Sequence, residues 1–394
     1  MDDIVFGSII DNLAQEFSEE MKKEFEVCMV GELNYFLGLQ VKQRKDGIFI
    51  SQEKYAKNLV KRLGLDSKKH ATTPMSSLVK LSFDLASVEV DPTLYRGMIS
   101  SLLYFTTRLI GTLVAPSDYT VSGNGILDGQ GTSLWAWKAS GKSCPLGATT
   151  LEFTNSNNIV VSGLTSINSQ MFHIVINAYN NVNMQGVKVN AVGNSPNTNG
   201  IHVELSSNVT ILNSDIQTGD DCISISHGTT NLWIENVACG PGHGISIGSL
   251  GQNQHEPSVQ NMIVKSANFT NTQNGVRIKS WARPSNEFAR NVIFQHVNMM
   301  NVHNPIIIDQ NYCPSGGCPY QASGVKISNV TYQDIHGTST TEVAVNLNCS
   351  SRNPCSIITM ESIMLTCENQ VAKASCNHAS VTSSDSIQPV INCL

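Results

Sequence analysis

Asn199, Asp221 and His243 follow one another at intervals of 22 residues. A step that regular places three polar side chains one above another if the chain winds into equal coils. Asp221 is preceded by a second carboxylate, Asp220, and by Gly219, which suggests a bend where two neighbours need not diverge to opposite faces of a strand. Arg277 and Lys279 follow, both on the outward side of a later apolar segment. Closely placed carboxylates are the equipment for cleaving a glycosidic bond: one donates a proton to the leaving oxygen while another accepts a proton from water or attacks directly. Clustered negative charge raises the pKa of at least one member and keeps it usable as an acid. Two cations beside the carboxylates point to an anionic substrate, since they pair well with sugar carboxylates. A uronic acid polymer satisfies all three features.

Such a site requires an element that repeats. Apolar–x–apolar triplets stand at Ile201-His202-Val203, Ile223-Ser224-Ile225 and Ile245-Ser246-Ile247, again 22 residues apart. Further triplets lie at Val276-Arg277-Ile278, Ile306-Ile307-Ile308 and Val343-Ala344-Val345, at wider spacing where loops are inserted. Alternation of this kind means short strands with one face buried, and repetition at about twenty residues means a solenoid. Few segments show a helical period, and no leucine-rich pattern occurs. A β-sandwich would not explain the constant spacing. The fold expected is mainly β, a parallel β-helix. In it Asn199, Asp221 and His243 stack two residues before their triplets, while Arg277 aligns with the outward His202, Ser224 and Ser246, about 4.8 Å apart from coil to coil.

Composition divides the chain. It has 394 residues and a formal net charge of -6, which does not suit a protein built to coat nucleic acid. Residues 1–110 hold 15 acidic and 14 basic side chains, more than half of the 56 in the whole sequence. The remainder is rich in Asn, Ser, Gly, Val and Ile. Of 11 cysteines only Cys28 lies upstream of Cys144, which suits disulfides and an oxidising compartment for the second part. Sequons at Asn208, Asn268, Asn329 and Asn348 fit the same setting. The start Met1-Asp2-Asp3-Ile4 shows no signal peptide, and the apolar run around Met98–Val114 is broken by Arg108 and too short to span a bilayer. Two unrelated pieces are therefore expected, 1–110 and 111–394.

In the first piece Leu13, Phe17, Met21 and Phe25, then Tyr55, Leu59, Val60 and Leu63, recur at helical spacing. Tyr35–Val41 and Gly47–Ile50 read as a strand pair, giving a small α+β fragment. Asp2-Asp3-Ile4-Val5-Phe6-Gly7, the run Gly31–Leu39, Thr73-Pro74-Met75 and Tyr95-Arg96-Gly97-Met98 resemble the reverse transcriptase of copia-type retrotransposons. That family's paired aspartates hold catalytic Mg²⁺. Here the aromatic residue before the pair and everything upstream are missing, so a non-functional remnant without a nucleic-acid partner is expected.

In the second piece Ser195–His202, Gly219-Asp220-Asp221-Cys222, Cys239–Gly248 and Arg277-Ile278-Lys279 resemble, in order, the four signatures of polygalacturonases, glycoside hydrolase family 28. Asn304–Cys313 and Ala374–Leu394 are similar to the plant branch, pollen-type exo-acting enzymes in particular. The resemblance implies a right-handed, pectin-lyase-like parallel β-helix that hydrolyses α-1,4-galacturonosyl linkages of pectin with inversion. By motif it makes Asp220 the general acid, Asp221 a holder of the attacking water, and His243 a tuner of the acid. Arg277 and Lys279 would grip the galacturonate carboxylate, and Tyr312 would line the subsite. It also implies a cell-wall location, a monomer without a membrane or cofactor, no metal, and disulfides Cys222–Cys239, Cys313–Cys318, Cys349–Cys355 and Cys376–Cys393. Cys144, with Trp137 where its partner would stand, and Cys367 are left over.

The sequence departs from that pattern. The first signature normally reads Asn-Thr-Asp-Gly, and here it is Asn197-Thr198-Asn199-Gly200. An amide hydrogen-bonds to water but cannot take its proton, so impaired catalysis is expected. The family's leading coils and cap are replaced by the transcriptase-like piece. Two further readings remain open at this level: a non-catalytic polygalacturonate-binding protein, and a fusion remnant without function.

Overall fold

Strands whose alternate residues are Ile, Val or Phe bury that face against a core, and in this chain they do so coil after coil. The computed structural model describes residues 119–140, 147–154, 157–314, 316, 318 and 321–393, together with the backbone of four short strands before them. Contacts divide the chain into two units, Met1–Thr107 and Arg108–Leu394. In the first, Tyr35–Phe36, Leu39–Arg44 and Gly47–Ser51 form an antiparallel sheet. The run expected as one strand is divided, since Phe36 pairs with Leu39. The helices expected in this unit lie outside the described residues.

The second unit is a parallel β-helix. Ten strands make the front sheet, among them Ile174–Asn177, Ile201–Glu204, Ile223–Ile225, Ile245–Leu250, Asn274–Trp281 and Asn304–Tyr312, each hydrogen-bonded to the one a coil away. A 14-stranded sheet of longer strands, from Tyr119–Ser122 to Ala379–Gln388, closes the coil behind it. The register stacks like on like: Phe153, Ile176, Val203, Ile225, Ile247, Ile278, Ile308 and Leu347 form one inward column, every member fully buried. Fully burying one such side chain stabilises by about 1.5–3 kcal/mol. That cumulative gain fixes the strand register, because a slip of one residue would turn the column outward, while coils longer than 22 residues take up their extra length in loops.

A turn between strands requires a left-handed residue on each coil, and asparagine tolerates that conformation best after glycine. Asn208, Asn231, Asn261, Asn291 and Asn329 all have φ between 53° and 61°. Each amide donates to the previous one at 2.8–3.1 Å. Two of the sequons, Asn208 and Asn329, are thus members of this exposed ladder. Disulfides close Cys222–Cys239, Cys313–Cys318, Cys349–Cys355 and Cys376–Cys393. Among the described residues Cys367 is free; Cys144 lies outside them. One helix, Thr132–Ala139, was not anticipated. It buries Trp135, whose indole N–H donates to the Ser169 carbonyl at 3.1 Å. No helix among the described residues is long and apolar enough to cross a membrane.

Glu287 is an anomaly in this apolar scaffold. It is fully buried; the Gly251 N–H donates to one oxygen at 2.7 Å, and Oε1 has no partner. Burial pushes its carboxyl up to about 8, against the Gly251 hydrogen bond and with help from the nearby Glu256. The folded chain therefore keeps a proton that the unfolded chain, at the ordinary 4.5, has lost. The stability linked to this group is complete below that ordinary value and drains away as pH rises through the folded one. At about 1.36 kcal/mol per unit the loss reaches a few kcal/mol. Glu287→Gln should therefore match the parent near pH 5 and exceed it increasingly up to about pH 8, in urea unfolding followed by circular dichroism. A pH-independent difference would refute the assignment.

Candidate active site

Three successive coils bring Asn199, Asp221 and His243 to one edge of the front sheet. The Gly200 N–H donates to the Asp221 carbonyl at 2.9 Å, and the His243 N–H to the Asp220 carbonyl at 2.7 Å. The expected bend occurs at Gly219 and Asp220. A Cβ on Gly219 would lie 2.1 Å from the Ser195 carbonyl oxygen, so no side chain fits where the two coils meet. The bend separates the neighbouring carboxylates. Asp220 stays accessible at the surface, whereas Asp221 turns inward and is 2% exposed.

Their partners differ accordingly. Asp220 Oδ1 accepts from the Asp221 N–H at 2.7 Å and lies 3.2 Å from His243 Nδ1. Asp221 Oδ1 accepts from Ser246 Oγ at 2.8 Å and Arg277 Nη2 at 2.8 Å, and Oδ2 accepts from Lys279 Nζ at 3.0 Å. Burial pushes the Asp221 carboxyl up, but the charges of Lys279 and Arg277 and the hydrogen bonds from Ser246 and Lys279 outweigh it and hold the group below the carboxylate range. The mutual repulsion expected to raise one pKa is thus overridden at Asp221: opposite charges in contact outweigh the like charge beside them.

One donor atom each from Asp220, Asp221 and His243 lies within 4.8 Å of the others. These are metal-donor chemistries, yet both Asp221 oxygens are already taken by the two cations and Ser246, which would oppose a further positive charge there. Arg277 and Lys279 sit where the outward column predicts, Ser246 pairing with Arg277 and Lys279 with Asp309 across the strands. Arg277 spends Nε on Ser246 at 2.9 Å and Nη2 on Asp221. A guanidinium has five N–H donors and an ammonium three, so both keep donors for a ligand carboxylate.

Tyr312 is half-buried against Trp281, with ring centroids 5.4 Å apart, and Lys279 Nζ lies 5.1 Å from its ring. Burial pushes its phenol up, the Arg277 charge opposing. It braces the cation as well as lining the surface. Asn199, 8% exposed, donates through Nδ2 to Ser224 Oγ at 2.8 Å.

Sequence reasoning placed His202, Ser224 and Ser246 on the outward column without giving them a task. It missed Glu204 and Asp309 altogether. Asp309 is half-buried beside Lys279, and burial pushes its carboxyl up against the Arg277 charge. The available signal was the residue two places after each triplet's middle member, which faces the same way.

The family described as Glycosyl hydrolases family 28 matches residues 109–385, and the one described as Reverse transcriptase (RNA-dependent DNA polymerase) matches residues 1–77. The chain is 63% identical over 308 residues to a polygalacturonase of Prunus persica, covering 73% of this chain and 78% of that one. It is 45% identical over 279 residues to an exopolygalacturonase of Platanus acerifolia, covering 70% and 74% respectively. Among solved structures, a polygalacturonase from Erwinia carotovora is similar at a TM-score of 0.58 and 25% identity, over 69% of this chain and 72% of that one.

Proposed function

Through residues 109–385 the chain belongs to glycosyl hydrolases family 28, and from that premise we propose that it hydrolyses α-1,4-galacturonosyl linkages of pectin with inversion, at a rate reduced by Asn199. The observation that carries this reading is the accessible Asp220, 3.2 Å from His243, on the same face as the paired cations Arg277 and Lys279. Asp220 protonates the leaving oxygen. His243 orients that acid, and the spare donors of Arg277 and Lys279 receive the sugar carboxylate beside Tyr312.

Carboxyl groups of inverting glycosidases usually stand about 6.5–9.5 Å apart to admit water between them. Asp220 and Asp221 are closer. In this reading the water therefore enters beside the pair, between Asp221 and Asn199, with Asp221 holding it rather than facing Asp220 across it. The transcriptase-like piece takes no part. The setting is the plant cell wall and the working form a monomer.

Reducing-end release from polygalacturonate, with the anomer of the first product followed by NMR, tests the proposal. Slow release of the inverted anomer is expected; the retained anomer would overturn the mechanism. Binding of polygalacturonate without any release would favour the second reading, a pectin-binding protein, which the amide at position 199 supports.

A further inference from the structure

Beside Asn199 the outward column holds a second chain of polar contacts. Ser224 Oγ lies 2.8 Å from Asn199 Nδ2 and 2.5 Å from His202 Nδ1, and His202 Nε2 lies 3.5 Å from Glu204 Oε2. We propose that Glu204, His202 and Ser224 form a proton relay that supplies, through the Ser224 hydroxyl, the base capacity that an amide at position 199 lacks. The proposal rests on the hydrolase reading above.

Hydrogen-bond roles along this chain are determined by what each atom is able to do. An amide N–H only donates, so Ser224 Oγ accepts from Asn199 and has its own proton left for His202 Nδ1. His202 Nδ1 is then the acceptor and Nε2 carries the ring proton toward Glu204. A hydroxyl donating to an imidazole that is in turn oriented by a carboxylate is the arrangement that activates nucleophilic hydroxyls. Here the hydroxyl would pass a proton rather than attack.

The fold supplies the spacing. His202 and Ser224 are register partners on adjacent coils, and Phe172 stacks on the imidazole with centroids 4.9 Å apart. Ser224 is 2% exposed, and the His202 and Glu204 side chains are 14% and 26% exposed. The strands on either side, Ile174–Asn177 and Ile223–Ile225, bring no ionisable side chain against the ring. Glu204 on its own strand faces it, and His227 acts on Glu204 in turn. The hydrogen bond from His202 holds the Glu204 carboxyl below its ordinary value despite partial burial, so the anion is in place to receive an imidazolium.

In the reaction a water beside Asn199 gives a proton to Ser224 Oγ as the Ser224 proton passes to His202 Nδ1. The water oxygen bonds to the anomeric carbon while the glycosidic C–O bond breaks, and the leaving oxygen takes the proton of Asp220. The imidazolium, held by Glu204, then releases its proton to solvent and Asp220 regains one. Ser224 is the catalytic group; His202 and Glu204 are positioning residues acting through it.

The test is steady-state kinetics of the full chain on polygalacturonate across pH, for His202→Gln alone and combined with Asn199→Asp. In the natural chain His202→Gln should lower kcat at least about tenfold with little change in KM. The acid limb of the natural chain's pH profile should report the group that takes up the water's proton. With Asn199→Asp that limb should move to the carboxylate range, near pH 4, and the His202→Gln loss should shrink below about threefold. Equal losses in both backgrounds, or none in the natural chain, would mean that His202 only packs. Glu204→Gln covers a folding failure of His202→Gln: losing the anion should move the natural chain's acid limb to lower pH, and an unmoved limb overturns the relay. Activity seen only with Asn199→Asp rejects the relay and retains the hydrolase. Folded but wholly inactive chains in every background reject the hydrolase reading itself.

Discussion

Asn199→Asp is expected to accelerate release of reducing ends from polygalacturonate by at least about a hundredfold, since general acid–base groups contribute typically 10²–10⁴-fold. The geometry shows why the gain should be so large for a change of one atom type. Asp221 beside it is charged, buried and spends both oxygens on Ser246, Arg277 and Lys279. It can hold a water, yet accepting a proton would cost it the two ion pairs. Position 199 lies one coil away, next to Ser224, whose hydroxyl can reverse and donate to a carboxylate there. The new charge also lies on the face that carries the two cations, which favours its ionised form. The variant should keep the parent's unfolding midpoint within about 1 kcal/mol of stability, because a hydrogen-bond partner is already in place. An unchanged rate, measured at the optimum pH of each protein, would mean that the step at position 199 does not limit turnover.

Removing the cation has the second largest effect. Lys279→Met should destabilise the solenoid by about 3–5 kcal/mol, the usual loss when one partner of a buried ion pair is deleted. Asp221, 2% exposed, would be left with Arg277 and the Ser246 hydroxyl against its burial. The pH dependence has a definite sign. In the natural chain the folded pKa is depressed, so the stability due to Asp221 is present above the ordinary value of 3.8 and is lost as pH falls through the folded one. With Lys279 gone, burial is opposed less, the folded pKa rises, and acid unfolding should begin at higher pH. Combining Lys279→Met with Asp221→Asn should recover part of the loss, since no uncompensated charge remains. Urea midpoints at neutral pH and an acid titration followed by circular dichroism measure both. A loss below about 1 kcal/mol would show that the pair behaves like a surface salt bridge.

Much of the fold could be read from the triplets. Ile201, Ile223 and Ile245 repeat at a constant step, and a constant step in β-branched residues has few physical solutions other than coils in register. The same step placed Asn199, Asp221 and His243 on one edge, and the next triplet, at wider spacing, placed Arg277 after Ser246, because strand periodicity carries side-chain direction with it. Two elements were harder. Thr132–Ala139 is short and buries little besides Trp135, so no helical period separates it from loop. Residues Tyr35–Val41 alternate like one strand, but pairing of Phe36 with Leu39 divides them, a matter of local turn formation that alternation does not encode.

The order of the motifs, the coil length and the row on which each polar residue lies were thus determined by the one-dimensional pattern, since burial of one strand face enforces them locally. Which partner each of those residues takes was decided in three dimensions. Asp221 and Lys279 are 58 residues apart in sequence and 3.0 Å apart in space, and neighbouring Asp220 and Asp221 end with different environments only because Gly219 meets Ser195 of the previous coil. Charge, burial and hydrogen bonding at a site depend on atoms from several coils at once, and no single stretch of chain contains them.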